Sequence, residues 1–63
     1  MCESNAYLLT KEGEKKIMDN VVHMKPENGK VYLTGLLGDQ KIVDGEVEEI
    51  KLIEHKILIK GKQ

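Results

Sequence analysis

Short apolar runs, cut at close intervals by turn-forming pairs, constrain this chain more than any other feature. Glu12-Gly13, Asn28-Gly29, Gly38-Asp39, Asp44-Gly45 and Glu54-His55 separate short apolar segments, none of which sustains a helical period for three turns. Glycine and asparagine tolerate positive φ, and the β-branched residues between the turns suit a pleated surface. The pattern therefore predicts a meander of strands. The runs are Asn5–Thr10, Lys15–Met18, Val21–Lys25, Lys30–Leu37, Gln40–Val43, Glu46–Ile53 and Lys56–Lys60. Together they predict an all-β fold, a small barrel of about six short antiparallel strands. Asn28-Gly29 is the strongest hairpin signal. Gly35 marks a bend of the kind a small barrel needs at its corners. Val47 is out of step with Ile50 and Leu52, and a bulge at Glu48–Glu49 restores the register. Ile57 and Ile59 share one face. A short helix over Asp44–Glu54 is the competing reading, since Val47, Ile50 and Glu54 fall near one helical stripe.

With 63 residues the chain makes one domain, residues 1–63. A chain this short buries only about 60% of its unfolded surface, so small domains usually recruit a disulfide, a metal or a partner chain. Cys2 is the one cysteine, which excludes a disulfide within the chain. Several apolar residues are adjacent: Leu8 and Leu9, Val21 and Val22, Leu36 and Leu37, Leu52 and Ile53. Neighbours on a strand point to opposite sides, so one of each pair faces away from a single core. A two-fold homodimer would cover such residues; strongly curved strands inside one barrel are the alternative.

The net charge is −1, both signs are interspersed, and the aromatic residues are Tyr7 and Tyr32 alone. Without a basic stripe or stacking rings, nucleic-acid binding is disfavoured. No apolar run approaches the roughly 20 residues of a membrane span, and Met1–Thr10 lacks the basic and apolar regions of a signal peptide. A single unpaired cysteine fits a reducing compartment, so a cytoplasmic location is expected.

Catalytic groups are scarce. There is no arginine, Ser4, Thr10 and Thr34 are the only small hydroxyls, and no glycine-rich phosphate loop occurs. Ser4, His23 and Asp19 have no spacing that argues for a triad, so the chain reads as a binding protein rather than an enzyme. His23 alternates with Val22 and Met24, His55 sits at a turn, and both read as exposed histidines. Met18 and Met24 read as core filler. Asp44, Glu46, Glu48 and Glu49 read as a solvated acidic face.

Cys2 is the candidate metal ligand. If Met1 is removed, its amine and thiolate close a five-membered chelate ring. If Met1 is kept, the Met1 amine, the Cys2 amide nitrogen and the thiolate form a chain of two such rings. Nitrogen–sulfur donor sets suit square-planar Ni(II) or Cu(II). One arm supplies too few ligands, but two arms meeting at a dimer axis would supply two nitrogens and two sulfurs. An inert cysteine at a frayed terminus is the plain alternative.

The opening Met1-Cys2, the strand Ala6-Tyr7-Leu8-Leu9-Thr10, the turn through Gly13 and the closing run Glu49–Ile59 resemble the CooT family of small nickel-binding proteins. That resemblance implies an SH3-like β-barrel, homodimeric, that serves as a metallochaperone or nickel store. Its expected partners are a nickel enzyme, carbon monoxide dehydrogenase, or that enzyme's maturation factors. It implies Ni(II) at Cys2 near the dimer interface and assigns no role to His23 or His55. The competing function is a protein- or RNA-interaction module with no metal role. Members of the family often carry an RNA-binding label, to which the charge balance here gives little support.

Overall fold

The computed structural model describes residues 3–61. Its strands are β1 (Ser4–Thr10), β2 (Gly13–Glu27), β3 (Lys30–Gly35), β4 (Gln40–Lys51) and β5 (Lys56–Gly61). They close into a barrel in chain order, β5 returning to β1. Asn28 and Gly29 turn β2 into β3 with φ of 48° and 77°, the double left-handed geometry their chemistry favours. Gly13, at φ 117°, opens β2 after the first turn.

The all-β barrel stands as expected, with five strands in place of about six. Two expected breaks are bends inside continuous strands. Lys15–Met18 and Val21–Lys25 fuse into β2 through Asp19-Asn20, where Asn20 has φ 52°. Gln40–Val43 and Glu46–Lys51 fuse into β4 through Asp44-Gly45. Each long strand changes partner at its bend. β2 pairs with β1 from Gly13 to Val21 and with β3 from Val21 to Glu27. β4 pairs with β3 from Gln40 to Asp44 and with β5 from Gly45 to Lys51. A bent strand that pairs with a different neighbour on each side of its bend closes the barrel at low residue cost, which lets so short a chain enclose a core.

Closure brings a second difference. β1 and β5 run parallel, from Asn5 opposite Lys56 to Leu9 opposite Lys60. The helix alternative over Asp44–Glu54 does not form, because β4 is extended to Lys51 and residues 52–55 turn. The expected bulge is present: the β4–β5 register skips Glu48 between Val47 and Glu49. Gly35 ends β3 rather than bending its middle, and a side chain there would collide with the Asp39 carboxylate.

The core is made by the inward positions of every strand. Ala6, Val31, Leu33 and Ile59 are fully buried, with Met18, Val21 and Ile57 around them. Leu8, Ile17, Met24, Val43 and Val47 pack against that cluster from the edges. Ile57 and Ile59 share the inner face as predicted, and Met18 and Met24 are core filler. The alternation argument fails where residues lie in turns. Leu36 and Leu37 follow β3, Leu52 and Ile53 follow β4, and all four are exposed. Val22 is also exposed, because the β2–β3 register slips between Val21 and His23 and leaves it outside the ladder.

Candidate functional site

One rim of the barrel gathers the start of β1, the bend of β2, the β3–β4 turn and the β4–β5 turn. A chain of hydrogen bonds links them. The Asn5 backbone N–H donates to the His55 carbonyl at 2.8 Å. The Asn20 N–H donates to the Asn5 side-chain Oδ1 at 3.3 Å. The Leu36 N–H donates to the Asn20 carbonyl at 2.9 Å. The two bends in this chain need left-handed backbone, and Asn20 and His55 adopt it at φ 52° and 56°. Asparagine and histidine are among the side chains that accept this region most readily. The β4–β5 turn is closed by the His55 N–H to the Leu52 carbonyl, 3.3 Å, and the β3–β4 turn by the Gly35 N–H to the Asp39 carbonyl, 2.7 Å.

The same rim carries the three most exposed apolar side chains and Leu36 with them, while exposed Ile42 lies on the β3–β4 wall. Leu37 and Ile53 are each 93% exposed, Leu52 is 80% and Leu36 is 51%. An open groove continues from Leu36 and Leu37 along Ile17, Met18 and Lys41. These apolar side chains sit on two turns of one rim, and that surplus on so small a protein suits an interaction surface. Lys56 stands beside the start of β1, opposite Asn5 in the ladder. Its Nζ lies 3.3 Å from Glu14 Oε1, 3.9 Å from Glu54 Oε1 and 5.1 Å from the Tyr7 ring centroid. The hydrogen bond to Glu14 and its charge hold the ammonium above its ordinary pKa, so it stays cationic.

Among the described residues the titratable candidates are not brought together. His23 faces outward on the β2–β3 wall opposite Thr34. His55 lies on the rim, and both histidines are exposed, as expected from sequence. Asp44, Glu46, Glu48 and Glu49 form an exposed wall, with Asp44 paired to Lys30 at 3.6 Å. Among the described residues no three of His, Cys, Asp and Glu converge as a metal site. Cys2, the residue singled out by sequence, lies outside the described residues. No helix among the described residues is long and apolar enough to cross a membrane.

Sequence reasoning missed Asn5 and Asn20. The available signal was Asp19-Asn20, a strand-averse pair between two apolar runs, which reads as a break until a partner for the Asn20 N–H is known.

Three comparisons bear on this barrel and its rim. The family model described as CO dehydrogenase accessory protein CooT matches residues 1–60. An uncharacterized protein of Archaeoglobus fulgidus is 40% identical over 45 residues, covering 71% of this chain and all 100% of that one. The crystal structure of a protein described as a CooT from Carboxydothermus hydrogenoformans superposes with a TM-score of 0.88. It covers 98% of this chain and 100% of its own at 21% identity, a likeness that speaks to the fold.

Proposed function

Because the chain belongs to the CooT family of CO dehydrogenase accessory proteins, we propose that it carries Ni(II) as cargo for the maturation of a nickel enzyme, carbon monoxide dehydrogenase. The ligand assigned to the metal is the Cys2 thiolate, joined by a terminal or backbone nitrogen of the same arm. Two arms, one from each chain of a homodimer, complete the donor set.

The observation that carries this reading is where β1 begins. Ser4 and Asn5 start on the rim that exposes Leu36, Leu37, Leu52 and Ile53, and Cys2 precedes Ser4 by only two residues. The arm is thus covalently tied to the surface best suited to a second copy. A two-fold axis through such a surface presents the same patch twice, and two arms with it. The donor chemistry agrees. Thiolate and nitrogen together suit Ni(II), and hard oxygen ligands are not required. A thiol kept free for such a task requires a reducing, cytoplasmic setting.

Thiol and amide must lose protons to bind, so affinity depends on pH. A free thiol has a pKa of about 8.5, and below it each thiol must surrender a proton to the solvent. The two thiols alone are expected to lower nickel affinity about a hundredfold for each unit of pH below about 8, and each nitrogen that also gives up a proton steepens the fall. Competition titrations with a chelator of known affinity, at two pH values in that range, measure this slope. An affinity unchanged between them rules out thiolate as the ligand.

A further inference from the structure

Asn28 is the one asparagine of this chain followed by glycine; Asn5 precedes Ala6 and Asn20 precedes Val21. That neighbour matters chemically. The amide nitrogen of a following residue can attack the asparagine Cγ, and a side chain on that residue hinders the approach. Glycine has none. Asn28 is also exposed at the tip of the β2–β3 hairpin, where water reaches it. The folded turn opposes the reaction. Asn28 and Gly29 both hold positive φ, 48° and 77°, inside the closing ladder pair Glu27 and Lys30. In a left-handed turn of this kind the Gly29 nitrogen stands on the far side of the Cα–C bond from the Asn28 Cβ. The ring cannot close until that peptide group rotates. The turn is held from outside as well, because the Gly29 carbonyl accepts the Gly45 N–H at 2.9 Å.

We infer that Asn28 is a deamidation site gated by the fold: the Asn28-Gly29 turn, closed and tied to Gly45, keeps its carboxamide intact until the turn opens. In the open turn the Gly29 nitrogen bonds to Asn28 Cγ, the Cγ–Nδ2 bond breaks, and ammonia leaves with the Gly29 proton. The product is a five-membered succinimide. Water then opens the ring. Its hydroxyl goes to one of the two ring carbonyl carbons, and its proton returns to the Gly29 nitrogen. Attack at Cγ gives aspartate. Attack at the main-chain carbonyl gives isoaspartate, in which the backbone runs through the former side chain. Either product puts a new carboxylate beside Glu27 and Glu46, which line the same open groove. Isoaspartate also adds a methylene to a two-residue turn whose twist matches the flanking strands. The reaction, once done, therefore weakens the hairpin that had held it back.

The test is incubation of the reduced full-length chain in mildly alkaline buffer, folded and in concentrated guanidinium chloride, followed by peptide mapping by mass. Conversion of amide to acid is read at Asn5, Asn20 and Asn28. In denaturant, conversion at Asn28 is expected to run ahead of the other two, as aspartate and isoaspartate together. In the folded chain it is expected to be slower by about tenfold or more, because only the opened fraction reacts. The Gly45 amide proton reports that fraction independently, since opening the turn frees it from the Gly29 carbonyl. Its hydrogen-exchange protection is expected to match the slowing of deamidation within about threefold. Faster conversion at Asn5 or Asn20 in denaturant overturns the site. Equal rates at Asn28 in the folded and unfolded chain overturn the gating. A Gly45 amide that exchanges freely while Asn28 stays protected overturns the tie.

Discussion

Cys2→Ser is expected to weaken Ni(II) binding by more than about a hundredfold while leaving the barrel folded. The lower bound follows from what outer-shell partners contribute: losing one of those already costs about tenfold to a hundredfold, and Cys2 is assigned to the metal itself. A serine hydroxyl stays protonated near neutral pH and is a hard, poor ligand for a metal that favours thiolate and nitrogen. In a shared site the substitution removes both sulfurs at once. The fold has no reason to respond, since the core is built from Ala6, Met18, Val21, Val31, Leu33, Ile57 and Ile59. Isothermal titration calorimetry on parent and variant measures the loss, and the far-ultraviolet spectrum checks the fold. Parent-like affinity in the variant would return the protein to the class of small barrels that bind partners without metal.

Gly45→Ala is expected to destabilise the fold by about 3 kcal/mol, a large share of the stability of a domain this size. Two effects combine. Gly45 has φ 155°, a conformation nearly reserved for glycine, and strain there costs about 1–3 kcal/mol. A Cβ at this position would also run into the Lys60 carbonyl and approach Gly61 Cα at 3.1 Å. Both neighbours are backbone of β5, so no side chain can swing aside. The Gly45 N–H meanwhile donates to the Gly29 carbonyl at 2.9 Å, which pins the bend to the β2–β3 turn. Moving Gly45 to relieve the clash would break that bond. Urea denaturation of parent and variant, fitted with a common slope, gives the difference. A loss below about 1 kcal/mol would mean that the bend is not the close contact described.

Gly45 also shows where sequence reading stops. Asp44-Gly45 has the composition of a turn, and local chemistry alone reads it as one. It is a bend because β5 comes against it from residues 60 and 61, a contact no local pattern encodes. Asp19-Asn20 repeats the case, since the partner of the Asn20 N–H sits 15 residues away in β1. The parallel closure of β1 on β5 joins strands from opposite ends of the chain, beyond the reach of any turn signal. By contrast, Asn28-Gly29 and the Glu48 bulge were legible because their causes are local: intrinsic φ preference in one case and a phase break in the other. The exposed rim was half legible. Adjacent apolar pairs pointed to surplus hydrophobic surface, but alternation placed it on strand faces rather than on the turns that carry it.

The candidate site divides the same way. Cys2 stands out in sequence because a lone thiol at position 2 has chelating options that an interior one lacks. Neither histidine carried a spacing signal, and the structure leaves both exposed and apart from any metal-binding cluster among the described residues. Asn5 needed the fold to be seen at all, because its importance lies in the bend it meets and not in its own neighbours.

The most direct test of a nickel site shared between two Cys2 arms is absorption titration of the reduced chain with Ni(II), with the mass of the species followed by sedimentation. Thiolate-to-nickel charge-transfer bands that saturate at about one nickel per two chains, on a particle of dimer mass, are the result this account predicts. Saturation at one nickel per monomer, or binding without any thiolate band, would contradict it.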